Sequence, residues 1–371
     1  MFKVFITAKA LADTCLNEGQ KDLKEQSKWF RILSRQREIY TIGYTLNDAP
    51  YDEGDFSDEA ILYRAQSSLG FVLFPEDDYV SEIPANPESV LQQPSAAFYL
   101  DISPEEASKI QEEYGVICQS TDKPFDESCL TDEYEVYDMY KGGKAIPWST
   151  VFESVKKIPS NSLLIIDRNL FAYDGQLNKK DGKEKADGIY NTFFIMDNAL
   201  PQTFNSTYHV TVLCEQKEEN KNDESIYGIE HFEKVSKSLF KFVSSLKRDY
   251  PIIVEVIAFR KRAYYYNELT HTRQVISNYY RVTAENGLNT TIYSEDMASY
   301  YSQQLTVQRL YSTGLRRDTV STPADTVRRM HEDYNKFLKL LMATHYTNEY
   351  YWYSCNNKGL TYQNYRNRLF L

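Results

Sequence analysis

The sequence predicts an α/β protein with a mixed sheet covered by helices. Three observations carry this expectation. The segments SLLIIDRNLF (162–171), TYHVTVLCE (207–215) and PIIVEVIAF (251–259) are continuous apolar runs of strand length. Between them lie helical patterns at 187–199 and 229–248, and that alternation calls for βαβ crossovers and strands buried on both faces. Further forward, AAFYLDI (96–102) runs straight into SPEEASKIQEEYGVI. There Ser103 caps a helix, Pro104 takes its first position and Glu106 completes a capping box.

In chain order, 2–7 reads as a strand, with no cleavable leader pattern. Residues 17–39 read as an amphipathic helix with Trp29, Phe30, Leu33 and Ile39 on its apolar side. An acidic loop at 47–59 precedes a short helix and a buried strand ending at Pro75, and a Pro- and Asn-rich loop spans 82–94. After the 96–102 unit come an acidic segment, TDEYEVYDMYKGGK, a helix from about Pro147 to Lys157, and a joint at KIPSNS. The three apolar strands follow, the first terminated by Asp167 and Arg168. A fourth strand is expected over 273–283, up to the turn signal Asn286-Gly287, and a fifth over Leu288–Ser294, antiparallel to it. Thr322-Pro-Ala-Asp325 caps a long helix to about Thr344, and the tail is aromatic and basic. The expected division is an acidic α/β domain at 1–158, a second domain at 159–300 and a helical extension at 301–371.

The 371 residues favour two domains or one large decorated one. Thirty-one tyrosines among 14% aromatic residues favour contact surfaces, since tyrosine joins a large apolar area to a hydroxyl needing a partner. No apolar stretch is long enough to span a membrane. Cys15, Cys118, Cys129, Cys214 and Cys355 form no CxxC pair, which points to reduced thiols in a cytoplasmic protein and against a zinc site. Charge is uneven: 1–158 holds 15 Lys and Arg against 29 Asp and Glu, whereas 301–371 holds 10 against 5. Polyanion contact is therefore expected at the back of the chain, if anywhere. The motifs GxxxxGK[ST], HExxH, GxSxG and GxGxxG are missing, which lowers the standing of NTPases, zinc proteases, α/β-hydrolases and dinucleotide enzymes. No cofactor or metal is expected. The acidic clusters Glu76-Asp77-Asp78 and Asp132-Glu133-Glu135 read as solvated loops, and Asp167-Arg168 reads as a local ion pair or, less simply, as an active-site carboxylate at a strand end.

One stretch carries chemistry: His271-Thr-Arg273-Gln-Val-Ile-Ser-Asn278. Its spacing is that of H-x-K followed by four residues and Asp, and Glu255 lies in the preceding strand. On these residues, about 160–300 resembles the phospholipase D-like fold, including degenerate members such as the C-terminal domain of MIT-domain proteins. The resemblance implies a histidine that attacks a phosphodiester, a cation that holds its oxygens, and a carboxylate that steadies the pocket. Here Arg273 replaces the lysine and Asn278 the aspartate. Arginine's planar fork binds phosphate well, so an anion pocket of His271, Arg273, Asn278 and Glu255 is implied.

Such chemistry needs a second histidine, and none of His209, His231, His331 and His345 begins an H-x-K or H-x-R motif. Pairing of two chains into a homodimer would supply it. Three readings stay open: a metal-independent phosphodiesterase or nuclease with His271 as nucleophile, an anion-binding pocket, or a strand-edge histidine bonded to a carboxylate. Arg316, Arg317, Arg328, Arg329, Trp352 and Arg366 mix basic and aromatic side chains that suit a single strand of nucleic acid or a protein partner. The resemblance also implies a bacterial accessory component of a multi-protein system, phage defence among them. The leading expectation is thus a non-catalytic binding or assembly protein that uses the His271/Arg273 pocket and the basic tail to hold a phosphate-bearing (nucleic acid) or protein partner.

Overall fold

The computed structural model describes residues 2–22, 24–44, 54–130, 135–138, 140–141, 144–172, 174, 187–216, 229–260, 273–285, 287–288, 304–309, 350–356 and 367–370. Within them the chain is α/β, with one parallel and one mixed sheet covered by helices.

The first sheet takes up the acidic front of the chain. Its strands are β1 (Lys3–Thr7), β2 (Glu38–Ile42), β3 (Val72–Pro75), β4 (Ala96–Leu100) and β5 (Ile117–Ser120), in the order β3-β2-β1-β4-β5. All four pairings are parallel. Helices α1 (Ala8–Glu18), α2 (Lys28–Leu33), α3 (Asp58–Leu69), α4 (Asp77–Glu82) and α5 (Pro104–Tyr114) make the crossovers. On one face Phe98, Phe5, Tyr40 and Phe74 stack in a row across β4, β1, β2 and β3, with centroid separations of 4.9, 4.9 and 5.6 Å. Tyr79 of α4 tilts onto Phe5 from above. The opposite face holds Trp29 of α2 edge-on to Tyr99. The capping box at Ser103 and Glu106 forms as expected.

Two local expectations for this region are corrected. The helix expected at 17–39 is two helices and a strand. Thr7 caps α1 early, Ser27 accepts from the Phe30 amide to start α2, and EIYTI alternates in burial as a strand. The strand ending at Pro75 is an edge strand and not a buried one: Val72 and Phe74 are exposed.

The second sheet has the order β15-β11-β10-β9-β12-β13-β14-β6. Its strands are β6 (Glu135–Asp138), β9 (Ser162–Ile166), β10 (Tyr208–Gln216), β11 (Ile252–Arg260), β12 (Arg273–Ser277), β13 (Tyr280–Ala284), β14 (Gln304–Arg309) and β15 (Tyr350–Asn356). A two-strand ribbon, β7 (Tyr140–Lys141) and β8 (Lys144–Ala145), stands apart. β9, β10 and β11 are parallel, as the apolar runs predict, and the remaining pairings are antiparallel. Helices α6 (Trp148–Glu153), α7 (Asp187–Ala199) and α8 (Ile229–Ser245) complete the unit. The Trp148 indole donates to Asn191 of α7 at 2.9 Å.

The strand expected at 273–283 turns back at Asn278-Tyr279 into the hairpin β12–β13. The apolar run hides this turn, because its two corner residues are themselves fully buried. The segment 301–371 is not purely helical: β14 and β15 are integral strands of the second sheet. The two sheets also divide the chain before 158, since β6 pairs with β14 and α6 packs beside the second sheet. The helix expected at 322–344 and most of the strand expected at Leu288–Ser294 lie outside the described residues.

A buried polar knot joins the sheets. Asn278 accepts from the Asn161 and Ser162 amides at 3.0 and 3.1 Å, and donates to the Pro94 carbonyl at 2.8 Å. Asn161 donates to the Pro94 and Gly115 carbonyls at 2.9 and 3.1 Å. The Tyr279 hydroxyl donates to the Ala96 carbonyl at 2.6 Å and accepts from the Ile117 amide at 3.1 Å. Gly115 is required here: its φ is +61°, and a Cβ would lie 2.1 Å from the Ser160 carbonyl oxygen.

Candidate functional site

Arg273, Asn278 and Glu255, the described residues of the expected anion pocket, do not converge. Arg273 begins β12 and Asn278 follows its end, so five residues of extended chain hold them roughly 17 Å apart. Asn278 is 1% exposed and its amide is saturated, with further donation to Asn161 Oδ1 at 3.0 Å and Ser95 Oγ at 3.3 Å. Glu255 is fully buried in β11, three strands from β12, and accepts from Thr211 Oγ1 at 2.5 Å. That hydroxyl in turn accepts from Asn367 Nδ2 at 3.0 Å, so Glu255 helps to dock the end of the chain on the sheet.

Arg273 Nη1 donates to the Glu285 carbonyl at 2.8 Å, and its charge lies close enough to Asp167 to favour that carboxylate. Asp167 is 1% exposed. Burial pushes its carboxyl up, against the pull of the Leu288 and Asn169 amides, at 2.7 and 2.8 Å, and of the Arg273 and Arg168 charges. Gly287, at φ +148°, brings the Leu288 amide over that carboxylate. Arg168 pairs instead with Glu215, Nε to Oε2 3.4 Å. The carboxyl ends of β9 and β10 are thus occupied by the protein's own groups.

His271, Arg316, Arg317, Arg328, Arg329 and Arg366 lie outside the described residues. Trp352 is placed only as a backbone position of β15, opposite Ile257. Of the other histidines, burial lowers the pKa of both His209 and His231, and His231 bonds the Phe171 carbonyl at 3.2 Å. Asp77 of the front acidic cluster accepts from the Gly43 amide at 2.7 Å. Among the described residues no group of three or more His, Cys, Asp or Glu side chains is placed to hold a metal ion.

An open cleft lies instead on the first sheet, over the carboxyl ends of β1 and β4. The chain leaves β1 toward β2 on one side, while β4 flanks it on the other. This is the switch point at which open parallel sheets form ligand crevices. The cleft encloses about 690 Å³, within the range of small-ligand sites. Asp13, Asp101 and Asp122 face it, with Lys9 as the lone cation among the described residues that line it. Its apolar wall is Trp29 stacked on Phe125 at 3.8 Å and 8°, with Tyr99 edge-on to both. The Trp29 amide donates to Glu127 Oε2 at 2.6 Å, which fixes the α2 start against the loop after β5.

Sequence reasoning missed this cleft because its residues are far apart in the chain and form no spaced motif. One signal was present: Asp101 ends the apolar run AAFYL just before a capped helix, the position at which strand-end carboxylates face a crevice. No family model matches the chain, and no curated protein sequence matches it. Among the described residues no helix is long and apolar enough to cross a membrane.

Proposed function

We propose that this chain is a non-catalytic binding component of a protein assembly, and that it engages its partner at the carboxyl edge of the first sheet. The observation that carries this reading is the fate of the motif: Asn278 and Glu255 are buried and bonded internally, at opposite places in the second sheet. On this reading the second sheet is a degenerate phospholipase D-like scaffold whose pocket positions serve packing. The first-sheet cleft, by contrast, offers unspent carboxylates beside an aromatic wall. Its charge favours a protein partner over a phosphate backbone, which such a surface repels.

The test is turnover by the purified full chain, without metal, on bis(p-nitrophenyl) phosphate and on single- and double-stranded DNA. The expected result is no cleavage above that of the His271→Ala variant. Cleavage that disappears with His271→Ala contradicts the proposal and restores the phosphodiesterase.

A further inference from the structure

The cleft has a counterpart on the other side of the sheet. A second chamber of about 410 Å³ shares Thr7 and Asp101 with it and is walled by Val80, Ile83, Leu100 and Ile110. Tyr99 lines the first chamber and Leu100 the second. Successive strand residues point to opposite faces, so the chambers lie on opposite faces of the sheet and meet along the ends of β1 and β4.

Their chemistry is complementary in a particular way. In the first chamber Asp13, Asp101 and Asp122 accept no hydrogen bond from any described residue. Trp29, 5% exposed, forms part of its wall, and the indole Nε1 finds no acceptor among the described residues. Carboxylates beside aromatic faces suit an ammonium or guanidinium group. The second chamber has Asp77, Glu106, Lys109 and Glu113 on its lining, but its wall of Ile42, Val80, Ile83, Leu100 and Ile110 suits an aliphatic group. A bare divalent ion would use neither the aromatic wall nor the aliphatic chamber.

We infer that the two chambers form one bipartite groove for an extended peptide of a partner protein, in which a basic side chain alternates with an aliphatic one. This rests on the binding reading above and names its ligand class. An extended peptide laid along the carboxyl edge sends consecutive side chains to opposite sides. The basic residue then enters the acidic, aromatic chamber and its aliphatic neighbour the other. The charge of the groove selects this occupant over an acidic or purely apolar peptide.

Calorimetric titration of the full chain with the acetylated, amidated tetrapeptide RLRL tests this, against the control tetrapeptides ELEL and RGRG. RLRL is expected to bind at least about tenfold more tightly than either control, since burying the leucines and pairing the arginines both contribute. Asp101→Asn and Asp13→Asn, both at exposed positions, are each expected to weaken RLRL binding about fivefold. RLRL binding no tighter than either ELEL or RGRG, or unchanged in both variants, overturns the inference. That failure is separable from failure of the binding reading, which shows as His271-dependent cleavage.

Discussion

Asn278 and Asn161 hold each other in a closed pair of hydrogen bonds. The Asn278 side-chain amide donates to Asn161 Oδ1 at 3.0 Å, and its own Oδ1 accepts from the Asn161 backbone amide at 3.0 Å. The ring ties the turn after β12 to the start of β9, and Asn278 reaches on to Pro94 ahead of β4. A position that resembles an active-site carboxylate in sequence is therefore the junction between two sheets.

Restoring the signature residue at this junction is expected to harm the protein. Asn278→Asp removes both donated protons and leaves a buried carboxylate facing the Pro94 carbonyl and Asn161 Oδ1. A loss of about 3 kcal/mol is expected from urea unfolding, with no gain of phosphodiester cleavage. An Asn278→Asp variant as stable as the parent sinks this account of the junction.

Tyr279 reports on the same junction through one atom. Tyr279→Phe keeps the ring and deletes the hydroxyl that bonds Ala96 and Ile117. Both backbone groups are then left without that partner, so about 2 kcal/mol of stability is expected to be lost. Equal denaturant midpoints for variant and parent contradict it.

Gly115 leaves less latitude. An alanine Cβ there meets the Ser160 carbonyl oxygen at 2.1 Å, and the backbone is left-handed. Gly115→Ala is expected to destabilise by about 3 kcal/mol or more, read as a sharp fall in melting temperature. By comparison, Gly43→Ala meets no atom within 4 Å of its Cβ and bears only the strain of its positive φ, so it is the milder control.

Asp174 makes stability depend on pH. Its carboxylate accepts from the Gly188 and Ile189 amides at the start of α7, at 3.0 and 2.8 Å. Burial nevertheless pushes its pKa up to about 7, from 3.8. Between those values the folded state holds a proton that the unfolded state has released. Stability from this group is therefore full below about pH 4, declines as pH rises, and is lost above about pH 7. The slope is on the order of 1.4 kcal/mol per pH unit. Asp174→Asn is expected to flatten the urea-unfolding profile across that window, and an unchanged slope counts against the assignment.

The sequence was informative where a residue's role is local. The Ser103 capping box, helix α7 and the apolar cores of β9, β10 and β11 follow from patterns a few residues long. It was misleading where tertiary contacts decide. The turn at Asn278-Tyr279 lies inside an apolar run because both side chains are buried in the sheet junction. The motif spacing was real in the sequence, but extended backbone places Arg273 and Asn278 at opposite ends of a strand. The cleft, in turn, depends on Asp13, Trp29, Asp101 and Phe125, which only the strand order of the first sheet brings together.

Amide hydrogen exchange of the full chain, with and without saturating RLRL peptide, tests most directly where this protein binds. Protection is predicted in α1 and across the β4–α5 junction around Asp101, with none added over 273–288. Protection concentrated at 273–288, with the first sheet unchanged, would contradict the account and return the binding site to the motif.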